Sequence, residues 1–92
     1  MNTQIQEVLD ILQEECAEVI QAVSKVRRFG IDEIHIKNGY SNRIHLTEEI
    51  GDLLVMIDLL QSFNVITVEG VTSAKQAKIE KLKKWSKIYE QD

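Results

Sequence analysis

Residues 14–21 read EECAEVIQ, and they lie within a longer segment whose apolar side chains recur every three or four positions. That spacing is typical of one face of an amphipathic α-helix, here from about Thr3 to Arg28. The apolar positions are Ile5, Leu9, Leu12, Cys16, Val19, Ile20, Val23 and Val26. Arg27 and Arg28 suit the negative end of the helix dipole, and Gly30 commonly ends a helix in a left-handed conformation. We therefore predict a long first helix that ends near Gly30.

The segment that follows, residues 29–41, lacks helical periodicity. It contains Asn38-Gly39, a strong turn signal. The alternation from Ile34 to Ile36 fits either a short strand or a mobile loop, and the pattern does not decide between them.

Two further helices are predicted after this segment. The second runs to about Phe63, and because it is apolar on nearly every side from Leu53 to Leu60 we expect it to be central and buried. The third ends near Tyr89. The residues whose side-chain oxygens can cap these helices are Ser41 or Asn42 for the second, and Thr67 or Ser73 for the third.

This pattern predicts an all-α fold, a single domain over residues 1–92 built as a bundle of about three long helices. A chain of 92 residues buries a modest fraction of its surface. Three helices leave apolar surface to cover, so we expect a four-helix-type core to be completed by oligomerisation, as a homodimer or homotetramer.

Composition excludes several classes of protein. The net charge of −4 argues against binding of nucleic-acid polymers, which requires an excess of clustered Lys and Arg. The N-terminus is too polar for a signal peptide, and no apolar run is long enough to cross a membrane. The single cysteine, Cys16, occupies an apolar helical position where a buried thiol is usual. We expect a cytoplasmic protein without membrane contact.

Carboxylates interrupt the apolar stripes of the first two helices. Glu15 and Glu18 are three residues apart and share a face, and Glu14 reaches Glu18 by the four-residue spacing. Glu49 and Asp52 repeat the arrangement on the second helix. Burying such anions together costs several kcal/mol each unless a cation lies among them. Mg²⁺ prefers carboxylate oxygens, so the pattern indicates a magnesium site, with a solvated acidic face as the alternative.

Other metal sites fit this sequence less well. A di-iron bundle requires Glu followed three residues later by His, a pair that the sequence does not contain. A zinc site requires Cys and His at ligand spacing, which one cysteine with His35 and His45 does not provide. His45 precedes Glu48 by three residues and can approach the acidic cluster, although a plain surface role is the simpler interpretation.

The motif Glu-Glu-x-x-Glu at residues 14–18, followed by Glu-x-x-Asp at residues 49–52, resembles the MazG-like family of all-α nucleotide pyrophosphohydrolases. The surrounding segments, EECAEVIQAVSKVRRFG (14–30) and NRIHLTEEIGDLLVMIDLL (42–60), are also similar to the two motif helices of small, phage-type members. The resemblance extends from about Leu9 to Trp85.

The resemblance implies Mg²⁺-dependent hydrolysis of nucleoside or deoxynucleoside triphosphates to monophosphate and pyrophosphate, with Mn²⁺ as a substitute metal. Family members associate as dimers or tetramers. The metal ligands that it implies are Glu15, Glu18, Glu49 and Asp52. Glu14 would assist Glu15 in catalysis by orienting or deprotonating the attacking water.

The sequence indicates the residues that contact the substrate less clearly than it indicates the metal ligands. Lys75 and Lys78 lie in line with apolar residues of the third helix and are candidates for the triphosphate, as are the basic residues at 25, 27 and 28. Asn42 and Trp85 are candidates for contact with the base. Each also has an ordinary structural interpretation: a solvated lysine, a helix dipole partner, a helix cap or a core aromatic residue.

Two alternative functions remain. A non-catalytic helical interaction module would use the acidic face to bind a basic partner, and it would not respond to divalent cations. A helical transcription factor is disfavoured by the acidic charge and by the lack of a basic recognition helix.

Overall fold

A computed structural model of the protein describes residues 1–91. It contains three helices, α1 (Thr3–Phe29), α2 (Asn42–Ser62) and α3 (Val68–Trp85). Within residues 1–91, β pairing is confined to one isolated antiparallel bridge between Ile34 and Ser41. The all-α prediction is confirmed, and the segment between α1 and α2 is a loop rather than a strand.

Side-chain oxygens start all three helices. Asn2 Oδ1 accepts a hydrogen bond from the Ile5 amide (2.7 Å), and Ser41 Oγ accepts one from the Ile44 amide (3.1 Å). Thr67 Oγ1 does the same for Gly70 at 2.9 Å. Each bond satisfies one of the free N–H groups of a first turn. Of the two caps predicted for α2 and for α3, the first is the actual cap in both cases.

The helix ends are less regular. Gly30 follows α1 with φ of +99°, a region that glycine enters without steric cost, and its N–H donates to the Val26 carbonyl. The helix α3 ends at Trp85, four residues before the predicted Tyr89. The backbone becomes extended at Ser86, whose hydroxyl donates to the Leu82 carbonyl at 2.8 Å.

The helices α1 and α2 pack against each other as an antiparallel hairpin. Val8, near the start of α1, lines the same cavity as Leu59 and Phe63 at the end of α2. At the other end, the amide of Asn42 lies within 3.5 Å of the Lys25 carbonyl. Val8, Ala22 and Leu60 form the buried apolar core of this pair. The hairpin therefore places the middle of α1 opposite the middle of α2.

The third helix contributes little to this core. It makes only slight contact with α1 or α2, and the chain is flat, with extents of 42 × 39 × 14 Å. The prediction of a buried α2 is wrong for the single chain, because only one side of α2 faces α1: Leu54 and Val55 are 53% and 52% exposed. The prediction that Cys16 is buried is also wrong, since its position on α1 faces away from α2. No helix within residues 1–91 has the length and apolar character needed to span a membrane.

Candidate metal centre

Three carboxylates from the two packed helices converge. Glu15 lies near the middle of α1, and Glu49 and Asp52 lie one turn apart on α2. One oxygen atom from each of the three lies within 4.8 Å of the other two. Glu15 and Glu49 are partly buried, whereas Asp52 is exposed. The antiparallel packing of the hairpin thus brings together two motifs that are far apart in the sequence.

Crowding of negative charge changes the acidity of Glu15. Its partial burial, and then the charges of Asp52, Glu49, Glu18 and Glu14, raise the pKa of Glu15 above its ordinary value. Desolvation and neighbouring anions both disfavour the ionised carboxylate. In the absence of a cation, the repulsion among these charges therefore lowers the stability of the folded protein. A bound cation would reverse this effect.

The donor set fits a hard divalent cation. All three converging side chains offer oxygen atoms, which Mg²⁺, Mn²⁺ and Ca²⁺ bind in preference to softer ligands. Within residues 1–91, this cluster is the one group of three or more His, Cys, Asp or Glu side chains close enough to share an ion. Glu15, Glu49 and Asp52 are therefore the residues that could hold a metal ion.

The other two predicted carboxylates lie beside the cluster. Glu14 and Glu18 are exposed on α1, and both are near enough for their charges to raise the pKa of Glu15. Neither has an oxygen atom within the group of three. Their roles as catalytic assistant and fourth ligand stay predictions.

A histidine contacts the cluster from α2. His45 Nε2 lies 3.2 Å from Glu49 Oε1, across one helical turn. The side chains of His45 and Glu49 are 26% and 15% exposed, so this contact is largely shielded from solvent. The predicted approach of His45 to the acidic cluster was through Glu48, three residues later in the chain. The four-residue spacing from His45 to Glu49 was the signal that identifies the true partner.

Asn42 joins the hairpin at its closed end. Its side-chain amide donates to the Gly30 carbonyl at 2.9 Å, and its Oδ1 lies 2.6 Å from His35 Nε2. The residue is 2% exposed. It also lines, with Lys25 and His35, a cavity of about 480 Å³ formed by the end of α1 and the loop. The polar atoms of the Asn42 side chain thus already have partners within the chain. Its hydrogen bonds connect the start of α2 to the end of α1 and to the loop.

The structure does not bring the predicted residues of α3 to the carboxylates of the same chain. Lys75 and Lys78 are exposed, and Trp85 is 77% exposed with the ammonium of Lys84 5.2 Å from its ring centre. Because α3 barely contacts α1 or α2, these side chains stand apart from the candidate metal centre. Contact of Lys75 and Lys78 with the triphosphate, and of Trp85 with the base, stays a prediction.

Comparison with known proteins gives one finding that bears on this site. No match to the chain was found among curated proteins or among solved structures. The family of the MazG nucleotide pyrophosphohydrolase domain matches residues 3–86, which include all three helices and all of the clustered carboxylates. A match over so much of the chain shows its relationship: the protein belongs to the MazG nucleotide pyrophosphohydrolase domain family.

Proposed function

We propose that the protein is a Mg²⁺-dependent pyrophosphohydrolase that converts nucleoside or deoxynucleoside triphosphates to monophosphates and pyrophosphate. The observation that carries the proposal is the convergence of Glu15, Glu49 and Asp52, within 4.8 Å of one another, in a chain of the MazG family. Three carboxylates on a partly buried surface form the kind of site that Mg²⁺ occupies together with substrate phosphates.

In this proposal Glu15, Glu49 and Asp52 hold the ion, and Glu18 joins them from the next turn of α1. When bound, the ion neutralises charge on the phosphate oxygens and lowers the pKa of a water molecule. Mn²⁺ is a suitable substitute because it has the same preference for oxygen ligands.

The remaining chemistry belongs to side chains. Glu14 is exposed beside the cluster, where its carboxylate can accept a proton from the attacking water or orient that water. Glu15, which would hold the ion, is the second candidate to orient the attacking water, because its carboxylate lies in the cluster beside Glu14. Glu14 leaves the reaction with its charge restored once the proton passes to solvent.

The positive charge for the triphosphate is proposed to come from a second copy of the chain. Lys75 and Lys78 lie on α3, which stands away from the carboxylates of its own chain. Exposed apolar residues on α2 and α3, among them Leu54, Val55 and Trp85, give a second copy a surface to cover. A homodimer or homotetramer would bury this surface and could bring Lys75, Lys78 and Trp85 to a neighbouring site.

The test is a panel of the common nucleoside and deoxynucleoside triphosphates, incubated with and without Mg²⁺, with products separated by ion-exchange chromatography. We expect monophosphate and pyrophosphate in equal amounts, and only when metal is present. Diphosphate and inorganic phosphate would indicate cleavage at the other anhydride and contradict the proposal. No hydrolysis of any substrate and no metal binding would favour an acidic interaction module instead.

A further inference from the structure

Among residues 1–91, the polar contact of the His45 side chain is with a candidate metal ligand. Its Nε2 lies 3.2 Å from Glu49 Oε1, and its other ring nitrogen, Nδ1, is buried with no hydrogen-bond partner among residues 1–91. A carboxylate oxygen only accepts hydrogen bonds, so the form of the His45 ring that carries its hydrogen on Nε2 is the one that can donate to Oε1 across this contact. Oε1 of Glu49 is therefore the polar atom that lies next to the His45 ring.

A second histidine and the buried asparagine hold that ring in place. The rings of His35 and His45 pack edge to face, with centres 5.9 Å apart and planes at 78°. His35 is itself fixed by Asn42: the Asn42 amide group donates to the Gly30 carbonyl, so its Oδ1 is the atom that accepts from His35 Nε2 at 2.6 Å. A chain of contacts thus runs from the closed end of the hairpin to Glu49.

We propose that His45 is a positioning residue, which orients the Glu49 carboxylate for binding of the divalent cation. The inference rests on the proposed function, since it assigns Glu49 to the metal. A hydrogen bond from Nε2 of His45 to Oε1 would restrict rotation of the Glu49 carboxylate and leave Oε2 free to bind the ion. Hydrogen bonds to ligating carboxylates commonly set the affinity of metal sites, and their loss lowers it by about 10–100-fold.

A merely structural role for His45 makes a different prediction. The contact between His45 and Glu49 would then stabilise α2 as an ordinary pair four residues apart, and its loss would change the stability of the metal-free protein without changing metal affinity. Metal affinity, measured separately from stability, distinguishes the two roles.

The experiment measures Mn²⁺ binding to the full chain by electron paramagnetic resonance, alongside the thermal midpoint of the metal-free protein. Three variants test the contact: His45→Leu removes the donor, His45→Asn keeps a polar side chain too short to reach Glu49, and His45→Gln places an amide donor near the position of Nε2. Thr47→Val is the control, because it removes another side-chain hydrogen bond of α2, from Thr47 to the Arg43 carbonyl (2.8 Å).

We expect His45→Leu and His45→Asn to weaken Mn²⁺ binding by about tenfold or more. His45→Gln and Thr47→Val should bind nearly as well as the wild type. If His45→Leu does not fold, His45→Asn carries the same comparison. Unchanged affinity in the loss variants, or a failure of His45→Gln to recover it, would overturn the inference while the metal site stands. A wild-type protein that binds no Mn²⁺ would overturn the proposed metal site, and the inference with it.

Discussion

Replacement of Asn42 by alanine is predicted to destabilise the hairpin strongly. Asn42 is 2% exposed, and it joins the end of α1, the loop and the start of α2 through two short hydrogen bonds, to the Gly30 carbonyl (2.9 Å) and from His35 Nε2 (2.6 Å). Its third contact, to the Lys25 carbonyl, is 3.5 Å long and adds little. Asn42→Ala removes all three.

The expected loss follows from these contacts. A typical hydrogen bond contributes about 0.5–1.5 kcal/mol net, and a buried partner left without its bond costs about 1–3 kcal/mol. Two such bonds at the closed end of the hairpin give a loss of about 2–4 kcal/mol. The better helix propensity of alanine offsets about 0.5 kcal/mol of this. The net change in the free energy of unfolding should therefore be about 1.5–3.5 kcal/mol.

Urea denaturation followed by far-UV circular dichroism, at one fixed protein concentration, measures this change. Asn38→Ala is the matched control: Asn38 is exposed, and its side chain accepts a single bond, from the Tyr40 amide at 2.9 Å. We expect that control to lose no more than about 1 kcal/mol. Equal losses in the two variants would refute the view that Asn42 braces the helices.

Three further predictions concern the cluster, the core and the assembly. Because the pKa of Glu15 is raised in the folded state, folding favours its protonated form, and the metal-free protein should gain stability as pH falls through the raised pKa towards 4.5. Glu15→Gln should flatten this dependence and raise the thermal midpoint at pH 7, and an unaltered pH profile would contradict the assignment. Leu60→Ala, at a site that is 4% exposed, should cost about 2–5 kcal/mol in urea denaturation, and a loss below about 1 kcal/mol would show that Leu60 is not packed in the core. Sedimentation equilibrium should show species larger than the 10.6 kDa chain, and Leu54→Glu should shift them towards the monomer; a wild type that is monomeric at every concentration would exclude the proposed assembly.

Most of the helical architecture could be predicted because it depends on local chemistry. The start of α1 at Thr3 and its end near Gly30 follow from apolar spacing and a glycine terminator, and both agree with the structure. Ser41 and Thr67 were among the predicted caps. The end of α3 was predicted too late because Ser86 satisfies the Leu82 carbonyl and lets the chain leave the helix, an event that periodicity does not reveal.

Burial depends on which elements meet, and the sequence pattern does not contain this information. An apolar α2 suggested a central helix, but only one of its sides faces α1, so Leu54 remains exposed in the single chain. Cys16 is exposed for the same reason. Apolar periodicity identifies which face of a helix avoids water, and a partner chain can cover that face as well as an intramolecular neighbour can.

The candidate site was predictable to the extent that helix spacing determines it. Residues three apart share a face, which placed Glu49 beside Asp52, and the family resemblance paired them with Glu15. The structure adds the convergence of these three within 4.8 Å and leaves Glu18 outside the group. The four-residue spacing relates His45 to Glu49, but the packing of the His35 ring against His45 depends on the path of the loop, which no sequence spacing predicts.

The most direct test of the account compares two neighbouring glutamates of α2. Glu49 belongs to the carboxylate cluster, whereas Glu48 is its exposed neighbour outside the cluster. Glu49→Gln therefore changes a residue of the site, and Glu48→Gln makes the same chemical change outside it. The measurement is Mg²⁺-dependent pyrophosphate release from the triphosphate that the wild type hydrolyses fastest. We expect Glu48→Gln to retain nearly full activity. The activity of Glu49→Gln should fall by more than about 100-fold, because loss of a metal ligand should cost more than the roughly 10–100-fold typical of losing a residue that only hydrogen-bonds a ligand. Equal activity in the two variants would contradict the assignment of catalysis to this metal centre.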